Sequence, residues 1–448
     1  MINEREYLAQ VQKAAPRQFA NIIRTATGDC ERILRVHFGD VLFERMQGLA
    51  HSMATTPAGA VIVLPGILGS ELYENEEHIW ISAWNIIRGD FDRLELDAAG
   101  NSMKAIQAPT PLKKYYGELQ LALLQRWNVI AFPYDWRLDI REVARQLKEQ
   151  IDSTLAAGSS FSLVGHSLGG LVARSYLQQF PDQARRVQRF IMLGTPNYGS
   201  FAIPVLYSGL NEVMQMVALL DQQHFMPELL QFAKTFVSTY QMLPFLGKSG
   251  HAARLMDPAA YGDLNPLPQR FESAKAFQKE ISTASPLPGA NMTYIAGFGF
   301  KTPDGIADWN KLQSWSGYTQ TLAGDGTVPH NLGLLEQVTT YFVQAEHAAL
   351  PADGRVIQAV QDLLANGAAP TLPRQMPQIG ALTQFMLGVE RTTEAASRDA
   401  RAHMLREIVR LERHAHPDKV SVSETELQDL IFSSLSRLPR ARGTGAGK

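Results

Sequence analysis

A single cysteine, Cys30, occurs in 448 residues, so an internal disulfide is excluded, and with it a disulfide-stapled secreted scaffold. Neither sign of charge is in excess: 42 Lys and Arg stand against 44 Asp and Glu, a net charge of −2. Without a pervasive basic field little could hold a phosphate backbone, and no nucleic acid is expected as a partner. Runs of about 18 consecutive apolar residues are missing, so no membrane-spanning helix is expected. The opening MINEREYLAQ carries charges where a signal peptide needs an apolar core, which gives a cytoplasmic protein as the expectation. Clustered metal ligands and nucleotide loops are also missing, so neither metal nor cofactor is expected. Gly443–Lys448 looks like a phosphate loop, but no helix follows it. What is present is a globular balance, 45% hydrophobic and 19% charged, enough for a real core.

Residues 1–55 read as a helical region of two or three helices, with Ile33, Leu34, Val36, Val41, Leu42 and Met46 at near-helical spacing. Thr55-Thr56-Pro57 marks a boundary. Ala60–Leu64 is then a short β-branched run closed by Pro65-Gly66, the signature of a strand buried on both faces. The same signature returns at 129–132, 161–164, 190–193, 292–296 and 339–343, with helical stretches at 141–155 and 168–180 between. Strands alternating with helices predict an α/β fold, a mostly parallel doubly wound sheet over residues 56–368. The rhythm breaks at about 201–288, where a helical, Leu-, Met- and Phe-rich insertion suits a cap. A closing helix at 353–364 precedes a Pro-rich linker and a charged helical tail, residues 369–448.

Gly165-His166-Ser167-Leu168-Gly169 lies between a predicted strand and a predicted helix, the context a nucleophile elbow requires. So sharp a turn strains the serine backbone, and side chains at the flanking positions would collide with strand and helix. Ser167 is the candidate nucleophile. A serine hydroxyl needs a base, and this architecture orders the partners serine, acid, histidine. Seven histidines follow Ser167. His224 and His251 fall in the insertion, and His403, His414 and His416 in the tail. His330 lies five residues beyond the candidate acid, whereas His347 follows the strand 339–343, so His347 is taken as the base. The acid is Asp325, between Gly324 and Gly326, with Asp304 and Asp308 as rivals by position. The loop Pro65–Ser70 and the residue after the nucleophile supply oxyanion donors: Ile67, with Leu68 as second choice, and Leu168. Asp135 and Arg137 read as a structural ion pair around a core Trp136. His414 and His416 read as an exposed helix end rather than a metal site.

Taken in order, Pro65–Ser70, Ile79-Trp80-Ile81, Pro133-Tyr134-Asp135-Trp136-Arg137, Gly165–Gly170, Gly194-Thr195-Pro196, Tyr240–Pro244 and Gly324–Pro329 resemble the lecithin:cholesterol acyltransferase family of α/β-hydrolases. That family includes lysosomal phospholipase A and phospholipid:diacylglycerol acyltransferase. The resemblance implies the α/β-hydrolase fold, attack on a lipid acyl ester, an acyl-enzyme on Ser167, and transfer to water or an alcohol. It also implies that Trp80 belongs to a membrane-facing lid. The methionines of the insertion, Met214 and Met216 among them, adapt their shape at little cost, which suits a lid over an apolar acyl site. The sequence departs from the family's secreted members in lacking their lid disulfide, and its terminal helical regions have no counterpart there.

The expected function is therefore a serine hydrolase of lipid acyl esters, lipase or phospholipase A in type, working at a membrane surface. An O-acyltransferase is the alternative. A third reading is an effector whose hydrolase core is controlled by a protein partner bound to the terminal helical regions.

Overall fold

The computed structural model describes residues 3–378 except 284 and 286, together with Gln428 and Ile431. The tail expected over 380–438, its three histidines and the Gly443–Lys448 segment lie outside the described residues, those two positions apart.

The chain begins with four helices, α1 (Glu4–Lys13), α2 (Pro16–Thr25), α3 (Asp29–Phe38) and α4 (Asp40–His51), rather than two or three. The breaks have local causes. Pro16 opens α2 at its first turn, and Gly39 separates α3 from α4 at φ 81°, a left-handed value that a side chain resists.

Six strands then build a parallel sheet: β1 (Ala60–Leu64), β5 (Asn128–Ala131), β6 (Phe161–His166), β7 (Val187–Leu193), β8 (Met292–Gly297) and β11 (Thr339–Val343). All six coincide with the apolar runs read from the sequence. Their order is β11-β8-β7-β6-β1-β5. The chain leaves β1 toward β5 and returns to β6 on the other side of β1. The strand order therefore reverses between β1 and β6, and the crevice beyond their carboxyl ends is where such sheets bind ligands.

Between β1 and β5 lie β2 (Leu72–Glu74), β3 (Glu77–Trp80), α5 (Ala83–Arg88), β4 (Ile106–Gln107) and α6 (Lys113–Leu124); β2, β3 and β4 form a small separate sheet. The helices α7 (Ile140–Thr154) and α8 (Leu168–Gln179) flank β6. The insertion between β7 and β8 is helical: α9 (Ala202–Tyr207), α10 (Glu212–Leu220), α11 (Met226–Ala233), α12 (Val237–Gln241), α13 (Ala252–Leu255) and α14 (Pro268–Ile281). A hairpin of β9 (Thr302–Ile306) and β10 (Tyr318–Thr321), then α15 (His330–Gly333), precede β11, and α16 (Gly354–Asn366) closes the domain.

Residues 202–220 have the length and mean hydropathy of a spanning helix, which the sequence reading did not expect. They are broken at 208–211 into α9 and α10, Asn211 caps the second piece, and over half of the stretch is buried. It serves as cap interior.

Alternate strand residues point to opposite faces. Val61 and Val63 join Phe19, Phe43 and Met46 of the N-terminal helices in one core, so those helices pack directly on the α/β domain. Ile62 and Leu64 face α7, α8 and the cap. One described tail residue, Gln428, donates to the Ile81 carbonyl at 2.8 Å, and the other, Ile431, is buried in the cap-side core.

Candidate active site

Ser167 stands at the carboxyl end of β6 with φ 52° and ψ −122°, a strained conformation for a residue bearing a side chain. Its N–H donates to the Leu193 carbonyl at 2.9 Å, which fixes the turn against β7. Two glycines allow the turn by close approach. A Cβ at Gly165 would lie 2.7 Å from the Gly170 nitrogen, and one at Gly169 would lie 2.5 Å from the Leu64 carbonyl oxygen.

His347 opens the short turn after β11, and Asp325 sits in the loop between β10 and α15. Two atoms bind these loops to each other: the His347 backbone N–H donates to the Asp325 carbonyl at 2.9 Å. The side chains complete the line. His347 Nδ1 donates to Asp325 Oδ2 at 2.8 Å, and Nε2 lies 2.8 Å from Ser167 Oγ. Because a carboxylate can only accept, the ring proton belongs on Nδ1, and Nε2 presents its lone pair to the serine hydroxyl. The other carboxylate oxygen, Oδ1, accepts the N–H groups of Thr327 at 3.0 Å and Val328 at 2.7 Å. Asp325 is 2% exposed, and its carboxylate is held by three donors, the His347 ring and two backbone N–H groups.

The rival residues are elsewhere. His330 Nε2 donates to the Gly297 carbonyl at 2.8 Å, and burial holds its pKa below the ordinary value. His224 pairs with Asp221 at 3.2 Å inside the cap. Asp304 lies in β9 and accepts from the Thr319 hydroxyl at 2.7 Å; Asp308 caps a turn and pairs with Lys311.

The loop after β1 comes against the elbow: a Cβ at Gly66 would be 3.0 Å from Ser167 Cβ. Ile67 lines the cavity beside Ser167, and Leu168 is the first residue of α8, where a helical N–H has no partner within its own helix. Aromatic side chains hold this loop. Tyr134 OH donates to the Pro65 carbonyl, Trp80 Nε1 to the Leu68 carbonyl at 3.0 Å, and Trp136 Nε1 to the Ser70 carbonyl at 3.1 Å. Asp135 and Arg137 form a buried ion pair at 2.6 Å, and Arg137 also donates to the Leu94 carbonyl, tying the strand end to the segment that carries Phe91.

A cavity of about 940 Å3 opens at Ser167 and His347. Much of its lining is apolar, with Trp80, Phe91, Trp136, Val213, Met214 and Phe236. Lys301, Gln320 and Glu346 are polar members of the same lining, with Trp315. Two expectations change here. Trp80 is 1% exposed and turns inward onto this wall, so it does not face a membrane from a lid surface; its indole N–H is spent on Leu68 and its ring packs edge-on against Trp136 at 5.7 Å. Met216 is buried but is not on the cavity wall. Two positions along a helix are about 200° of rotation, so Met214 and Met216 point to opposite sides of α10. Among the described residues no three His, Cys, Asp or Glu side chains group as metal ligands.

Sequence reasoning passed over Tyr116, Tyr134 and His166. Nothing local marks Tyr116, Tyr134 stood only as part of the Pro133–Arg137 segment with no role of its own, and His166 read only as the variable residue of the elbow.

A profile of lecithin:cholesterol acyltransferase matches residues 121–356, just over half of the 448. The chain belongs to the lecithin:cholesterol acyltransferase family. Within that family assignment the six-stranded parallel sheet with helices on both faces is the α/β-hydrolase fold. No curated protein matches the chain. Solved structures with distant likeness include the Tle4–Tli4 complex, at 15% identity and TM-score 0.44, covering 67% of this chain and 97% of that one. The mature form of Bacillus licheniformis lipase BlEst2 is similar at 14% identity and TM-score 0.36, with coverage of 70% and 95%. The metagenomic carboxyl esterase MGS0156 is similar at 12% identity and TM-score 0.33, with coverage of 66% and 67%.

Proposed function

We propose that the protein cleaves acyl esters of lipids by a serine mechanism, as a lipase or phospholipase A. The unbroken line from Ser167 Oγ through His347 to Asp325 on the lining of a large, mainly apolar cavity carries this reading. Ser167 Oγ attacks the ester carbonyl carbon while His347 Nε2 takes its proton. The negative charge passes to the carbonyl oxygen, where the N–H groups of Ile67 and Leu168 stabilise it. As the tetrahedral species collapses, His347 returns the proton to the departing alkoxide, leaving the acyl group on Ser167. Water, deprotonated by the same nitrogen, then releases the acid and restores the serine. Asp325 keeps the imidazole in the needed tautomer and stabilises the imidazolium at each stage.

Family membership favours a second outcome for the acyl-enzyme, attack by an alcohol in place of water, which would make the protein an O-acyltransferase. One experiment addresses both. A fluorophosphonate probe should label the wild type and not Ser167→Ala. Incubation with mixed phospholipids, neutral lipids and alcohol acceptors, followed by acyl-chain analysis, should give free acid for hydrolysis or a new ester for transfer. Labelling that survives the substitution would overturn the mechanism.

A further inference from the structure

His166 is a buried titratable group that the mechanism above does not use. It sits between Gly165 and Ser167, and both ring nitrogens are engaged. Nε2 lies 3.0 Å from the backbone carbonyl oxygen of His347, and Nδ1 lies 2.8 Å from the hydroxyl of Tyr116. That hydroxyl also accepts the Gly66 N–H at 2.8 Å.

Chemistry allows one direction for these bonds. A carbonyl oxygen only accepts, so the ring proton is on Nε2 and Nδ1 is a bare lone pair. Tyr116 must then donate its proton to Nδ1, which leaves its oxygen free to accept from Gly66. The chain runs Gly66 N–H to Tyr116 O, Tyr116 O–H to His166 Nδ1, and His166 Nε2–H to the carbonyl of His347. Its four members come from the loop after β1, from α6, from the elbow, and from the turn after β11. Each donor and acceptor is used, and no member is exposed to compete for water: Tyr116 is 3% and His166 5% exposed.

We infer that Tyr116 and His166 are positioning residues, a neutral brace that locks the loop bearing Ile67 to the backbone of His347 across the face of Ser167. The inference rests on the serine mechanism proposed above. Its physical content is alignment. The Ile67 N–H and the base reach Ser167 from loops that are 280 residues apart in sequence (67 to 347), and the brace is a hydrogen-bonded path that joins them. The brace works only while His166 is neutral, because a proton on Nδ1 would turn the Tyr116 hydroxyl away. The surroundings keep it so. Burial, and then the neighbouring His347 ring at 5.1 Å, push its pKa down to about 3, and burial raises that of Tyr116.

The test uses the full chain and two soluble or dispersed acyl esters. Tyr116→Phe keeps the ring and removes one proton and one acceptor. It should lower kcat by about 10- to 100-fold with KM little changed, the size expected from loosened alignment rather than lost binding. His166→Gln, which can donate to the His347 carbonyl and accept from Tyr116, should retain most of the activity that His166→Leu loses. A merely structural role would lower the melting temperature without separating Gln from Leu. Independently of activity, histidine 15N spectra of the wild type should show His166 neutral, protonated on Nε2, from pH 5 to 8. A proton on Nδ1, or titration within that range, would overturn the brace, as would an unchanged kcat in folded Tyr116→Phe. Failure of the serine mechanism itself reads out separately, as fluorophosphonate labelling that survives Ser167→Ala.

Discussion

The two faces of the sheet are built from the same strands and the same kinds of side chain, yet they end differently. On one face Val61, Val63, Val164 and Ile191 share one buried core with residues of α2, α4, α6 and α16, among them Phe19, Phe43 and Met46. On the other, Ile62, Leu64, Leu163 and Met192 meet α7, α8 and the cap, whose helices bury their own Leu, Met and Phe residues yet leave about 940 Å3 open above Ser167. Apolar patterning says which residues leave water. It does not say whether they meet one another or a cavity, because that depends on the angles at which separate helices arrive. The closed face should therefore answer substitution with stability, and the open face with turnover.

The largest effect expected is on the open face. Ser167→Ala or His347→Ala should lower kcat by about 10⁴-fold or more, because the members of such a triad act as one unit. The melting temperature should hardly move. His330→Ala, which removes a bond to the Gly297 carbonyl but nothing at Ser167, should cost far less activity; reversed penalties for the two histidines would redraw the site.

On the closed face the currency changes. Phe43 is fully buried between α4 and the sheet-facing helices, and Phe43→Ala should cost about 3–5 kcal/mol of stability, read in denaturant. Turnover per folded molecule should stay at the wild-type value. A loss of turnover in still-folded protein would mean that the N-terminal helices act on the site, and the contrast between the faces would fail.

Between the faces runs a seam that titrates. Glu71 beside β2 is buried, accepts from the Tyr73 hydroxyl at 2.9 Å, and has its pKa pushed up to about 7 by burial. Lys113 nearby donates to the Ala14 carbonyl at 2.8 Å, tying the N-terminal helices to α6. A carboxyl whose pKa is higher folded than unfolded stabilises the fold below its unfolded value, 4.5, and that contribution is lost as pH rises through about 7. Stability should thus decline between pH 4.5 and 7 by at most about 3 kcal/mol from this group. Glu71→Gln should flatten that part of the stability–pH curve, and an unchanged slope would assign the decline elsewhere.

How much of this was legible in the sequence follows the same physics. Strands buried on both faces read as unbroken apolar runs, so all six of the main sheet were visible, as were Ser167, Asp325 and His347 by their order along it. The small sheet of β2, β3 and β4 was not, since Glu74, Glu77 and His78 interrupt any apolar period in strands of two to four residues. Nor was the β9–β10 hairpin, where Asp304-Gly305 imitates a turn. His166 and Tyr116 carried no signal because their partners lie 50 and 181 residues away. Trp80 was placed in a lid, but whether it pointed outward or onto the cavity depended on packing with Trp136 that no spacing encodes.

The smallest predicted effect separates filling from lining within one helix. Met214 and Met216 are both buried in α10, at 4% and 2% exposure, and by composition they are indistinguishable. Only Met214 lines the cavity. Replacing each by serine removes the same apolar group and adds the same hydroxyl. At Met216 the change falls in packed core, so it should lower stability and leave the ratio of long-chain to short-chain ester cleavage unaltered. At Met214 the wall of the cavity loses its contact with an acyl chain, at about 0.8 kcal/mol for each methylene no longer buried. The expected result is a fall of roughly three- to tenfold in kcat/KM for long-chain esters, with short esters cleaved as before and a smaller loss of stability, since the thioether adapts to whatever fills the space beside it. Measuring both variants on a series of esters differing only in chain length gives the answer as a slope. Equal slopes for Met214→Ser and Met216→Ser would mean that the cavity does not hold the acyl chain, and the open face would then be open for another purpose while the triad stood as it is.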